Sequence, residues 1–262
     1  MSVFETLDAL TGPARHAAID LLYRMADDEL IIGHRHSEWT GYGPILEEDI
    51  AFSSMAQDEM GHALTFYTML HELGEAAPDT LVFERKPREF RCSNLVSMDS
   101  KRDWALTVVR SFLYEAQESV RLAALTESSL KPLADVARKL QCEEKYHFLH
   151  GRSWMLRLGS ATEEAHAKMQ QAVCKTFPHA LGMFEPTGAD QTLAQHDLCP
   201  REAQLQREWE SAIAPVLADA GLELPEDATT VCGGRVGRHI DDLAALLKDL
   251  QLVHSMDTSA SW

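Results

Sequence analysis

Glu59-Met60-Gly61-His62 and Glu144-Lys145-Tyr146-His147 are the two stretches on which the fold turns. Residues three apart share one face of an α-helix, so each Glu-x-x-His can offer a carboxylate and an imidazole to a single point. One further glutamate precedes each motif, Glu29 by 30 residues and Glu115 by 29. Two helices carrying Glu-x-x-His and two supplying one Glu each make the ligand set of a di-iron or di-manganese carboxylate centre in a four-helix bundle. The near-equal spacing predicts two helical hairpins, each giving half of a pseudo-symmetric site.

The flanking residues supply the helices. Ile19, Leu22 and Ala26 step by three and four toward Glu29 and Gly33, predicting a first helix over about residues 15–39 with the carboxylate inward. Gly41-Tyr42-Gly43-Pro44 breaks the chain. Pro44 is expected in the first turn of the next helix, with Glu47, Glu48 and Asp49 near its positive end. The stripe Phe52, Met55, Glu59, His62, Phe66, Met69, Leu73 runs to Gly74, expected as the C-terminal cap. Residues 75–100 hold two prolines and little helical periodicity and read as the long crossover that a ferritin-like bundle needs.

The third helix, about 103–127, carries Trp104, Val108, Ser111, Glu115, Glu118 and Leu122 on one face. Ser129 and Pro132 open the fourth, whose stripe is Leu133, Ala137, Leu140, Glu144, His147, Gly151, Trp154 and Leu158, ended by Gly159. Weaker helical patterns follow over about 162–183, 200–220 and 238–254. The expected architecture is all-α: a ferritin-like four-helix bundle over about residues 15–159 with additional C-terminal helices over about 160–256, in a single domain spanning 1–262.

Acidic residues number 41 against 24 Lys and Arg, a formal charge of −17, which argues against attraction to nucleic acid or to anionic membranes. No apolar run approaches the roughly 18 residues of a membrane span, and MSVFETLDALTG lacks the basic start and apolar stretch of a signal peptide, so a cytoplasmic protein is expected. The five cysteines show no C-x-x-C spacing. They are expected to be reduced and structural, with neither a disulfide framework nor a zinc or iron–sulfur site.

Four glutamates facing one core require raised pKa values or bound cations, because a buried unpaired carboxylate costs several kcal/mol. Two divalent ions balance Glu29, Glu59, Glu115 and Glu144. Neutral His62 and His147 complete an oxygen and nitrogen set that favours iron or manganese. In that arrangement Glu59 and Glu144 bridge two irons, Glu29 and His62 complete one, and Glu115 and His147 the other. The competing arrangement is a metal-free polar network neutralised by residues such as Arg110 or Arg121. Asp58, Glu118 and Glu143 lie beside ligand positions, where a carboxylate bonded to the far nitrogen of a ligating histidine would set its tautomer. His34, His36 and His71 have no ligand spacing and read as surface or polar packing residues.

Four further motifs have no ligand spacing: Ser37-Glu38-Trp39-Thr40-Gly41, Gly151-Arg152-Ser153-Trp154-Met155-Leu156-Arg157-Leu158-Gly159, Lys168-Met169-Gln170-Gln171-Ala172 and Gly233-Gly234-Arg235-Val236-Gly237-Arg238-His239. With these, nearly the whole chain resembles the C-type subunit of the ring-epoxidising phenylacetyl-CoA oxygenases, the PaaC family. The resemblance implies a ferritin-like subunit paired with a catalytic A-type subunit in a hetero-oligomer, a homodimer being the other arrangement expected. It also implies a complex that uses O₂ and electrons from a separate reductase to convert phenylacetyl-CoA to a ring-1,2-epoxide.

C-type subunits are generally regarded as structural, their iron ligands lost, and this chain departs from that pattern by keeping six. Three readings stand at this level: a metal-binding oxygenase component, a metal-free scaffold for the catalytic partner, and a stand-alone ferritin-like ferroxidase. Arg85, Lys86, Arg88, Arg235 and Arg238 are candidates to meet the phosphates of a CoA thioester. Gly233-Gly234 reads as a tight turn.

Overall fold

A computed structural model describes residues 3–258. Among the described residues the fold is all-α, with the element order of a ferritin-like protein and no β-strand; the only extended pairing is an isolated bridge between Phe4 and Leu130. The helices are α1 Gly12–Ser37, α2 Leu46–Glu72, α3 Pro78–Phe83, α4 Asn94–Ser97, α5 Trp104–Leu125, α6 Lys131–Gly159, α7 Glu163–Leu181, α8 Asp190–Gln195, α9 Glu202–Asp219, α10 Asp241–Leu250 and α11 Leu252–Met256. The described residues divide into two compact units, one of residues 3–18 and 100–232, the other of 19–99 and 233–258, with the boundary inside α1.

The first unit is built around α5. Asp103 caps this helix by accepting from the Leu106 N–H, and every residue from Ala105 to Glu118 is buried. A helix buried all round needs neighbours on several sides, and α6, α7 and α9 pack against it. Trp209 of α9 is the anchor. It is fully buried, stacks on Phe177 at 5.9 Å and contacts Phe184 at 5.2 Å, and donates its indole N–H to Leu113 O at 3.0 Å. The residues beyond the second hairpin thus form part of the core around the helix that carries Glu115.

The second unit holds α2, most of α1, the crossover and the chain end. The expected stripe on α1 becomes a surround: Arg24 to Gly33 are buried on every face. That is tolerable only because the charges inside are met, Arg24 by Asp20 at 3.0 Å within the helix, and Asp27 and Asp28 by partners from other segments. α2 ends as expected at Gly74, which takes φ +84° while the Glu75 N–H reaches back to Leu70 O.

Three local expectations change. Pro44 lies before α2 and outside its first turn: Ile45 is the N-cap, and the Gly43 N–H donates to Asp49 Oδ1 at 2.8 Å, pulling the chain across the helix start. Ser129 does not cap α6, because its hydroxyl donates to His196 O at 2.7 Å; Leu130 is the N-cap and Pro132 sits in the first turn. The crossover is not bare loop but carries α3 and α4, and α8 lies between the C-terminal patterns. No helix among the described residues is long and apolar enough to cross a membrane, and none of the five cysteines is in a disulfide, Cys92 and Cys199 being buried.

Two outcomes check this packing. Trp209→Phe keeps an aromatic ring but leaves the buried Leu113 carbonyl without its donor, and should cost roughly 1–3 kcal/mol in chemical denaturation. His239 packs with Nε2 3.1 Å from Phe90 O, and burial holds its pKa below the ordinary 6.5. The folded chain therefore refuses a proton that the unfolded chain accepts, so this stability is complete above 6.5 and is lost as pH falls. His239→Gln should lose less stability than the wild type between about pH 7.5 and about pH 5.5.

Candidate metal centre

Each hairpin carries one buried triad. On α1 and α2, His62 Nδ1 lies 3.5 Å from Glu29 Oε2 and 3.8 Å from Glu59 Oε2. On α5 and α6, His147 Nδ1 lies 3.3 Å from Glu144 Oε1 and 3.8 Å from Glu115 Oε2. All six residues are at most 3% exposed. Within each triad one ligand atom per residue lies within 4.8 Å of the others, the spread a single ion can gather. The α-helical period makes both triads: Glu59 and His62, and Glu144 and His147, stand one turn apart, and the antiparallel partner brings its glutamate alongside.

Close approach of α1 to α2 depends on Gly33, one turn beyond Glu29. A β-carbon there would lie 2.9 Å from Glu59 Cβ, closer than side chains can pack. On the other hairpin α6 approaches α5 through Gly151, where a β-carbon would lie 3.1 Å from Phe112 Cα, and the Ser111 hydroxyl lies 3.5 Å from Glu115 Oε1.

The donor sets fit divalent metal. Two carboxylates and a neutral imidazole carry two negative charges, and bringing them together in a dry interior is unfavourable by desolvation and mutual repulsion unless a cation joins them. Glu29 Oε2 is buried and makes no hydrogen bond, which suits a metal ligand better than a structural carboxylate. The oxygen-rich, mixed O/N set matches iron or manganese more closely than copper or a thiolate metal.

The structure thus brings together Glu29, Glu59 and His62 in one triad and Glu115, Glu144 and His147 in the other. Of the residues expected beside the ligands, Glu118 is fully buried and faces Arg121 at 3.7 Å, while Asp58 and Glu143 are half-buried. His36 is a packing residue, fully buried with its ring edge-on to Phe52 at 5.1 Å.

Sequence reasoning passed over Asp27 and Asp28. Asp27 accepts from the Tyr67 hydroxyl at 2.6 Å, from Arg85 Nη1 at 3.1 Å and from the Arg91 N–H at 2.6 Å. Asp28 pairs with Arg235 at 2.7 Å and accepts from the Ser93 N–H at 2.7 Å. Their signal was present as Asp27-Asp28-Glu29 running into Leu30-Ile31-Ile32, an acidic run inside an apolar helix. Arg85 and Arg235 are consequently committed to internal carboxylates, which removes them as phosphate contacts, whereas Lys86, Arg88 and Arg238 are exposed.

The sequence model for the phenylacetic acid catabolic proteins matches residues 1–262. The chain belongs to that family. It is 30% identical over 241 residues to the C component of the 1,2-phenylacetyl-CoA epoxidase of Escherichia coli (strain K12), a match covering 91% of this chain and 96% of that protein. It is also 24% identical over 186 residues to the A component of the same enzyme, covering 71% of this chain and 59% of that larger protein. Within the phenylacetic acid catabolic family the chain is therefore of the C type by extent as well as identity.

Gly33→Ala tests the geometry of the α1–α2 triad. The added methyl should push α2 away at Glu59, lowering the metal content of the purified protein while the helical signal in circular dichroism stays intact. Gly61, where an added β-carbon meets nothing within 4 Å, provides the control as Gly61→Ala.

Proposed function

We propose that this chain is the C-type subunit of a multicomponent, O₂-dependent di-iron oxygenase that epoxidises the aromatic ring of phenylacetyl-CoA, and that it binds metal itself. The likeness to the C component of the Escherichia coli epoxidase along nearly its whole length carries the first part; the two buried Glu/His triads carry the second. In this reading Glu29 and His62 serve one iron, Glu115 and His147 the other, and Glu59 and Glu144 are shared, the assignment drawn from the hairpin duplication in the sequence. Manganese is the alternative metal. An A-type oxygenase subunit is the partner, a separate reductase supplies electrons, and the complex works in the cytoplasm.

Bound iron supplies the ability to accept and pass on single electrons in O₂ chemistry. The chain's own residues do the rest. The four glutamates offset the charge of two divalent ions, and the two imidazoles present Nδ1 to them. The apolar surround, including Met25, Ala26 and Phe66 on one hairpin and Phe112 and Leu140 on the other, keeps bulk water from the carboxylates and strengthens their hold on a cation. Asp58 and Glu143 are proposed to steady the rings of the histidines on their own helices.

Metal analysis after expression in iron-supplemented medium tests the second part. About two irons per chain are expected, lost in Glu59→Ala/Glu144→Ala. A metal-free wild type whose stability iron does not change would replace this reading with the scaffold. Co-expression with an A-type partner should yield a stable complex, and turnover of phenylacetyl-CoA should require that partner. An isolated chain that oxidises Fe(II) and captures no partner would point to the ferroxidase.

A further inference from the structure

Asp27, Asp28 and Glu29 are successive residues of α1, so their side chains leave the helix about 100° apart and reach three different neighbours. Glu29 faces His62; Asp27 faces Tyr67 and Arg85; Asp28 faces Arg235. Residues 90–94 of the crossover lie against these acids, the Arg91 and Ser93 N–H groups donating to Asp27 and Asp28. The far side of the same segment is held by the chain end. Arg235 Nη1 donates to Arg91 O at 3.1 Å, His239 Nε2 lies 3.1 Å from Phe90 O, and the Ile240 N–H donates to Asn94 Oδ1 at 3.1 Å.

The motif Gly233-Gly234-Arg235-Val236-Gly237-Arg238-His239 is built to make this contact. Gly233 and Gly237 adopt φ +119° and +77°, and a β-carbon at Gly234 or Gly237 would run into the carbonyls of Cys92 and Arg88. The glycines let the turn lie flat on the crossover, and Arg235 passes beneath it to Asp28, both side chains fully buried. A buried ion pair adds little stability over a well-packed apolar pair, but it fixes direction, because a charge in a dry interior tolerates little displacement of its partner.

We propose that Arg235 is a positioning residue for the Glu29–Glu59–His62 triad: by holding Asp28 it fixes the turn of α1 that aims Glu29, so the C-terminal clip governs metal loading of that triad and not of Glu115–Glu144–His147. The proposal rests on the metal-binding reading above. It gives the C-terminal glycine motif, which has no ligand spacing of its own, a role in the metal chemistry.

Cobalt(II) titration of the full chain, followed by visible absorption and direct metal counting, tests it. Wild type should bind two ions. Arg235→Lys, which keeps the charge and loses the planar fork, and Asp28→Asn should each weaken one binding event by roughly 10–100-fold and leave the other within about twofold. Arg238→Lys, at an exposed arginine of the same turn, should match wild type.

The affected ion is identified in single-site backgrounds. With His147→Ala, Arg235→Lys should abolish most remaining binding; with His62→Ala its effect should be several-fold smaller, limited to what the shared Glu59 and Glu144 transmit. A fold defect alone would weaken both sites together, and thermal unfolding of the metal-free proteins measures it separately. Should Arg235→Lys fail to fold, Asp28→Asn/Arg235→Gln, which replaces the ion pair by a neutral hydrogen-bonded pair, should give the same one-sided loss. Equal weakening of both sites, or none, overturns the positioning role and leaves the metal reading standing. A wild type that binds no cobalt overturns both.

Discussion

Negative charge held away from water is the constraint from which the rest of this structure follows. Asp27, Asp28, Glu29, Glu59, Glu115, Glu118 and Glu144 are all essentially inaccessible, and each would be costly there alone. The protein meets them in two ways. Asp27, Asp28 and Glu118 face arginines. The other four face histidines in groups that invite a cation. Arginine balances the carboxylates that hold helices in place; the remaining four belong to the groups that could hold a metal ion.

The two triads are close copies in content and differ in support. On the α1–α2 hairpin a glycine brings the helices together and two neighbouring aspartates tie α1 to the crossover and the chain end. On the α5–α6 hairpin the support comes from enclosure, with α5 surrounded by α6, α7 and α9 and fastened by Trp209. Both hairpins use a glycine at the close approach, Gly33 in one and Gly151 in the other, and beyond it the first is held by polar ties and the second by apolar packing. The C-terminal third of the chain serves both, α7 and α9 in one unit and the glycine turn in the other.

The long helices and the six residues of the two triads were legible in the sequence because helical period is a local signal: Glu59 and His62 announce their shared face, and Trp104 to Leu122 repeat it over many turns. What was not legible depended on distance along the chain or on shortness. α3, α4 and α8, of six, four and six residues, are too brief for periodicity to emerge. Ser129 looked like a cap, but its hydroxyl is claimed by His196 O, which no local pattern announces. Arg85 and Arg235 looked like surface cations because their carboxylate partners lie in a different stretch of sequence. Asp27 and Asp28 were hidden by their neighbour, since a helix with Glu29 inward ordinarily turns the preceding acids toward water.

The clip also sets an order of events during synthesis. α1 and α2 leave the ribosome long before Arg235 does, so the first hairpin is complete as secondary structure while Asp28 still lacks its arginine. A hairpin in that state holds Asp27 through the Tyr67 hydroxyl but has no arginine to direct Asp28. Arg235 therefore completes the surroundings of a triad translated long before it, and a chain truncated ahead of Arg235 carries Glu29, Glu59 and His62 without the Asp28–Arg235 pair.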